Sequence, residues 1–237
     1  MYSIKQRVRY SEADHTKHLT LTGIINYFQD CSTFQSEDIG VGIDYLERHK
    51  KGWILSSWQI IVKRYPKIGE KLEVGTWPTA FDGLYGTRNF VMKDQAGELL
   101  AYANSIWVFM DMEKGRPVKP CEEDISAYIL EPELEMEYAP RKIALPKDWK
   151  ELPSFPVRKA QIDTNGHVNN SRYIEMALEV LPKELYTGQI RVEYKKSAVY
   201  GDIICPMLHE EGTKTIVKLC DGEGRLFAAV EFTGEQA

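Results

Sequence analysis

Asp163-Thr164-Asn165-Gly166-His167-Val168-Asn169-Asn170 stands where a polar loop runs into a segment of helical apolar spacing, and Asp14-His15-Thr16-Lys17-His18-Leu19-Thr20-Leu21 does the same 149 residues earlier. Each stretch holds an Asp and a His four apart. Two further pairs follow in the same order. Gly69-Glu70-Lys71-Leu72 matches Gly201-Asp202-Ile203-Ile204, a turn leading into a strand. Asp94-x-x-Gly97-x-Leu99-x-Ala101 matches Asp221-x-x-Gly224-x-Leu226-x-Ala228, a hairpin turn between alternating strands. The offsets shrink from 149 to 132 to 127 residues, as for one unit repeated with longer loops in its first copy.

Around these anchors each copy reads as one long helix followed by consecutive strands. Leu21 to Ile39 carries Ile24, Ile25, Phe28 and Cys31 at the spacing of a helix with one buried face. Trp53 to Tyr65, Lys71 to Trp77, Gly86 to Lys93 and Leu99 to Met110 are rich in Trp, Ile, Val and Phe and read as strands. The second copy predicts a helix from Asn170 to Leu181, stopped near Pro182. Its strands are Ile190 to Ser197, Ile203 to His209, Thr213 to Cys220 and Leu226 to Phe232. Pro206 inside a strand predicts an edge or a bulge. The fold class is therefore α+β, each copy a curved antiparallel sheet wrapped around its helix. Two such sheets pairing at their edges would hide two exposed edge strands.

Between the copies, Pro120 to Pro156 holds six of the eleven prolines and the acidic run Glu131 to Glu137, the composition of an ordered linker with solvated charges. The 237 residues suffice for one large or two average domains, and 43% hydrophobic with 27% charged residues excludes disorder. A net charge of −5 excludes a general nucleic-acid binder. Apolar runs such as Ile106 to Met110 are far shorter than the ~20 residues that cross a bilayer. The N-terminus lacks the apolar core of a signal peptide, so a cytoplasmic location is expected. Cys31, Cys121, Cys205 and Cys220 show no metal-ligand spacing and read as reduced thiols filling half-buried positions.

The densest polar cluster runs from Asp163 to Tyr173. Asp163 supplies a proton acceptor, His167 a group that exchanges protons near neutral pH, and Asn165 both a donor and an acceptor. Backbone N–H groups where a helix begins lack intrahelical partners and face whatever sits there, which suits a developing oxyanion. The competing reading is that Asp, Asn and Ser only form turns and cap the helix. Copy one weakens it: Thr16, Lys17, Thr20 and Leu21 stand there in place of Asn165, Gly166, Asn169 and Asn170, so capping alone does not require that set.

Asp163-x-Asn165-x-His167-Val-Asn-Asn170-x-x-Tyr173, followed by Glu179, resembles the motif of the plant and bacterial acyl-acyl carrier protein (acyl-ACP) thioesterases, which are double hotdog proteins. The likeness extends to Trp53, Val62-x-Arg64-Tyr65-Pro66, Gly69, Thr76-Trp77, Gly97-Glu98 and Ser105-x-Trp107-Val108, and so to most of both halves. It implies a tandem double hotdog: residues 1–130 as an N-terminal domain holding the acyl chain, 131–156 as linker, and 157–237 as the catalytic C-terminal domain. It also implies hydrolysis of fatty acyl-ACP to free fatty acid and holo-carrier, ending fatty acid synthesis, with Asp163, Asn165 and His167 catalytic. In one place the chain departs from the family. Ser197 and Ala198 stand where plant enzymes have Glu and Cys, so a cysteine nucleophile is impossible there. The last catalytic role is left to Ser197 through water, or to Glu193 on the same strand face.

On this reading, N–H groups around Gly166, Val168, Asn169 and Asn170 polarise the carbonyl, and Asp163 acts as base or as nucleophile. Neither a metal nor a bound organic cofactor is needed; the phosphopantetheine arm belongs to the substrate. The partner is an acyl carrier protein, itself strongly acidic, so a local basic patch is expected among Arg141, Lys142, Arg158, Lys159, Arg172, Lys195 and Lys196. Lys195, Lys196 and Arg172 are the leading candidates, against the alternative that all are ordinary solvated charges. No nucleic acid or membrane is expected as partner, and the chain is read as a monomer or homodimer. The rival functions are a non-catalytic acyl-thioester sensor, a hotdog dehydratase and an acyl-CoA thioesterase.

Overall fold

The computed structural model describes residues 1–182 and 185–236. The chain divides into two units: residues 1–56 with 60–138, and residues 57–59 with 139–237. The second unit's residues 183, 184 and 237 lie outside the described ones.

In the first unit, β1 (Tyr2–Arg7) leads through a 3-10 turn (Tyr10–Glu12) to α1 (Leu21–Asp38) and α2 (Ile43–Arg48). Then come β2 (Lys51–Val62), β3 (Lys71–Asp82), β4 (Tyr85–Asp94), β5 (Leu99–Asp111), β6 (Arg116–Pro117) and α3 (Glu122–Ile125). The strand order is β1-β3-β4-β5-β2. Helix α1 begins where expected because the Thr20 hydroxyl accepts from Gly23 N at 3.1 Å, satisfying one of the unpaired first-turn amides. Its buried face, Leu21, Ile24, Ile25, Phe28 and Cys31, follows the predicted spacing, and Phe28 meets Phe90 of β4 with ring centroids 5.3 Å apart. Truncating a buried Phe of this kind costs about 3–5 kcal/mol. The composition signal missed β1, a polar edge strand paired only to β3, and the short α2.

In the second unit, β7 (Lys150–Glu151), β8 (Phe155–Pro156) and a 3-10 turn (Lys159–Gln161) precede α4 (Asn170–Glu179). The strands β9 (Leu185–Tyr194), β10 (Ile203–Glu211), β11 (Lys214–Cys220) and β12 (Leu226–Gln236) follow, in the order β9-β12-β11-β10-β7. Ile190, Val192 and Tyr194 lie opposite Phe232, Val230 and Ala228 on one face of this sheet. Tyr194 reaches the start of α4, its hydroxyl donating to Asn170 O at 3.0 Å, so this is the helix-facing side. Pro206 sits at the sheet edge, between the pairing of β8 with Ile203–Ile204 and of β7 with Met207–Leu208, where its missing N–H costs no ladder bond.

The three sequence anchors recur as bonds. At the first, Asp14 N donates to His18 O and Asp163 N to His167 O, both at 2.8 Å. Thr20 N reaches Glu12 O at 3.0 Å, and Asn169 N reaches Gln161 O at 2.9 Å. At the second, Val8 N bonds Glu70 O and Val157 N bonds Asp202 O. At the third, the Asp94 and Asp221 carboxylates each accept two backbone N–H groups within their own hairpin turn.

The linker is ordered. Its second half lies over the sheet face away from α4: Ile143 packs with Ile216 and Ala229, and Trp149 joins that cluster. Its first half belongs to the first unit, where Trp77 Nε1 donates to Pro132 O at 2.8 Å and Leu134 N to Asn89 Oδ1 at 2.9 Å. Glu133, Glu135 and Glu137 are exposed, as the charge run predicted.

Candidate active site

The second unit's polar turn is built from its own chain. Asp163 Oδ1 accepts Asn165 N at 2.8 Å, and Gly166 N donates to Asp163 O at 3.1 Å. Gly166 takes a left-handed φ of +75°, which closes the turn. Asn169 caps α4, its side-chain oxygen accepting both the N–H and the hydroxyl of Ser171 at 3.0 Å. Asp163 and His167 are half-buried, whereas Asn165 is exposed. Solvent therefore reaches the polar edge of the turn.

A residue from a later strand connection completes the floor. Ala198 N donates to the Tyr173 hydroxyl at 2.7 Å, and Val168 N donates to Ala198 O at 2.9 Å. Burial pushes the Tyr173 phenol up to about 12, with the Asp202 and Asp163 carboxylates adding to it against the Ala198 hydrogen bond. Tyr194, packed edge-on at 5.8 Å from Tyr173, is pushed well above the ordinary tyrosine value by desolvation of its hydroxyl. Both phenols therefore stay protonated and serve as structural supports. The motif contained Tyr173, but Tyr194, Ala198 and Asp202 were given no role there; the repeated Gly-acid anchor was the available signal for Asp202.

The first unit's turn shows what the same backbone does with other side chains. Lys17 takes a φ of 67° at the place of Gly166. Asp14 Oδ1 accepts Thr16 N at 2.8 Å, the Thr16 hydroxyl at 2.7 Å and His18 N at 3.1 Å. Burial works to raise the Asp14 carboxyl, but these bonds and nearby His15 outweigh it and hold it below the usual range. The single Thr16 proton goes to Asp14, so the contact with His18 Nδ1 at 2.9 Å is a donation from the imidazole. These polar groups are closed on one another.

Three expectations change. Three of the four expected backbone oxyanion donors are spent: Gly166 N goes to Asp163 O, Val168 N to Ala198 O and Asn169 N to Gln161 O. Asn170 sits at the first position of α4, with its carbonyl bonded to Tyr194. Glu193 does not join the site. It neighbours Tyr194 on β9 and so points to the opposite face, where it is buried under the linker, accepts Ile143 N at 3.1 Å and pairs with Lys195 at 2.5 Å. β9 ends at Tyr194, so alternation does not extend to Ser197, which is exposed beside Ala198. The leading basic candidates are also paired: Arg172 with Glu175 at 2.5 Å, Lys195 with Glu193, and Lys196 with Asp221 at 3.6 Å.

Two helix-in-sheet units, the second bearing an Asp-x-Asn-x-His turn at its helix start, define a double hotdog protein of the thioesterase class. The acyl-ACP thioesterase N-terminal domain profile matches residues 1–129, and the acyl-ACP thioesterase C-terminal domain profile matches residues 146–232. A chloroplastic oleoyl-acyl carrier protein thioesterase of Coriandrum sativum is 28% identical over 97% of this chain and 69% of its own length. Oleoyl-acyl carrier protein thioesterase 2 of Arabidopsis thaliana is 28% identical over 93% of this chain and 66% of its own. The crystal structure of an acyl-ACP thioesterase from Bacteroides thetaiotaomicron superposes with a TM-score of 0.89 at 25% identity, covering 98% of this chain and 97% of that one. The chain thus spans about two thirds of the plant relatives and nearly all of the bacterial one. It belongs to the acyl-ACP thioesterase family and is a thioester hydrolase.

Proposed function

We propose that the second unit hydrolyses fatty acyl-ACP to free fatty acid and holo-carrier, ending fatty acid synthesis, with Asp163, Asn165 and His167 as its catalytic residues. The observation carrying this assignment is the contrast between two turns of matching backbone. In the first, the Thr16 side chain bonds both Asp14 and His18; in the second, Asn165 bonds Asp163 through its backbone N–H, which leaves its carboxamide for other use, and Gly166 replaces Lys17.

Asp163 takes a proton from water as the water oxygen attacks the carbonyl carbon. The Asn165 carboxamide and the His167 imidazole donate to the developing oxyanion, because the amides of Gly166, Val168 and Asn169 are already used. The tetrahedral intermediate collapses by breaking the C–S bond. The leaving thiolate belongs to a thiol of pKa about 8.5 and needs little acid help. Ser197, exposed next to the Ala198 floor, holds water at the rim. On this proposal the reaction draws on no metal or resident organic cofactor, the phosphopantetheine arm arriving with the substrate. The setting is the cytoplasm, where the four free cysteines stay reduced.

Thiol release from a long-chain acyl-ACP, followed with a thiol-reactive dye, tests the reading. The native chain should turn over, and Asp163→Ala should do so about 100-fold or more slowly. Saturable binding without turnover by the native chain would instead make it a sensor.

A further inference from the structure

We infer that the carrier protein docks on a surface beside the catalytic turn made of Arg158, Lys159, Val199, Tyr200 and Ile203; this rests on the proposed carrier-linked substrate. Val157 N bonds Asp202 O at 2.8 Å and Gly201 N bonds Val157 O at 3.3 Å, which sets the two short segments side by side. Tyr200 is 59% exposed, Ile203 49% and Val199 42%, an apolar group that the fold does not cover. Arg158 and Lys159 are exposed, and among the described residues neither makes an ion pair. Lys159 Nζ lies 5.5 Å from the Tyr200 ring, so charge and apolar surface adjoin. The patch's own acid, Asp202, is occupied by Val199 N at 3.0 Å. Asp163 stands two residues after the Lys159–Gln161 turn, putting the patch beside the site.

The internal repeat supplies the comparison. In the first unit Arg9 stands at the place of Arg158 and pairs with Glu12 at 3.7 Å, whereas Gln161 replaces that Glu in the second unit. Tyr10 stands at the place of Lys159. Two replacements within three positions remove one negative charge and add one positive charge, only at the unit with the proposed catalytic turn. Both turns keep the same backbone bond, Arg9 N to Glu12 Oε2 and Arg158 N to Gln161 Oε1, so the change is not demanded by the fold. A basic rim around exposed apolar side chains fits an acidic protein surface presenting apolar residues of its own.

The test compares hydrolysis of acyl-ACP, acyl-CoA and acyl-pantetheine by the native chain, by Arg158→Glu with Lys159→Glu, by Tyr200→Ala, and by Lys195→Glu with Lys196→Glu. The paired Arg158 and Lys159 reversal should raise KM for acyl-ACP about tenfold or more, flatten its salt dependence, and leave kcat and both carrier-free substrates within about twofold. Tyr200→Ala should act in the same direction. Equal losses on acyl-CoA would assign the cations to the arm's phosphates, and a larger carrier-selective loss from the Lys195 and Lys196 reversal would move docking there; either overturns the proposal, as does an unchanged KM. Direct binding of acyl-ACP to Asp163→Ala, with and without the Arg158 and Lys159 reversal, reads docking separately from hydrolysis. Lost binding supports the surface even if native turnover is absent, and retained binding overturns it.

Discussion

The Tyr173 hydroxyl accepts the backbone N–H of Ala198 at 2.7 Å, joining the first turn of α4 to the segment that follows β9. Ala198 in turn accepts Val168 N, so one phenol holds three pieces of the site's floor in register. Tyr173→Phe keeps the ring and strands a buried N–H, at a cost of about 1–3 kcal/mol. A urea midpoint lowered to that extent, with kcat falling because Val168 and the turn before it loosen, is the expected outcome. An unchanged midpoint would show that the bond does not hold the floor.

Asp163→Ala should lower kcat about 100-fold or more, the usual scale for a general base, while Asp14→Ala leaves kcat nearly intact. Asp14 does hold Thr16 and His18, so its replacement should lower stability instead. Steady-state rates and urea melts of the two variants separate these effects, and equal losses of kcat would reverse the assignment of the active unit.

The turns were legible because their bonds are local. An Asp accepting N–H groups two and four residues on, as Asp14, Asp94 and Asp221 do, leaves a spacing that sequence comparison detects. What failed depended on distant partners. The acceptor for Val168 N is Ala198 O, and the cover over Glu193 is the linker at Ile143; neither leaves a local pattern. The ion pair of Lys196 with Asp221 was hidden for the same reason, since its partner lies 25 residues on.

Glu193→Gln separates a structural from a catalytic carboxylate. Its acceptor for Ile143 N survives while the partner charge of Lys195 is lost, so kcat should stay within about threefold and the unfolding free energy from urea melts should fall by about 1 kcal/mol. Glu193→Ala should cost about 1–3 kcal/mol, because a buried linker amide loses its acceptor. A large loss of kcat in both variants at an unchanged midpoint would return Glu193 to the mechanism.

Asp124 of α3 makes stability pH-dependent. Burial alone would raise its carboxyl, but hydrogen bonds from the Cys121 thiol, Lys51, the Cys121 amide and Tyr45 outweigh it and hold it below the usual range. Lys51, 2.8 Å away, is raised by the same pairing against its own burial penalty. The carboxylate's contribution is present above the unfolded pKa of about 3.9 and lost as pH falls through the lower folded value. The lysine's is present below about 10.4 and lost as pH rises through its higher folded value. Urea melts should thus show a plateau between those limits. Asp124→Asn should lower it by more than the ~1 kcal/mol of an exposed pair, yet by less than the ~3–5 of a fully buried one, because Lys51 is a quarter exposed. A variant whose stability keeps the native slope below pH 4 would place the titrating group elsewhere.

Asn165 carries the sharpest demand of the mechanism. With the amides of Gly166, Val168 and Asn169 already bonded, the proposed mechanism places the oxyanion on side chains, and Asn165 is an exposed donor two residues from Asp163. Asn165→Ala removes that carboxamide but not the backbone N–H that holds Asp163 Oδ1, so the turn should survive. The expected loss is about 100-fold in kcat, the scale for one oxyanion donor, with little change in KM because the charge it meets exists only in the transition state. Asn165→Asp keeps the shape, replaces a donor with a negative charge, and should be at least as damaging. Thr16→Ala at the matching place in the first unit should leave kcat unchanged. Rates with acyl-ACP, read beside urea midpoints to confirm folding, decide the matter. Native kcat in Asn165→Ala would mean that a backbone amide is released when substrate binds, and would move oxyanion stabilisation back to the start of α4.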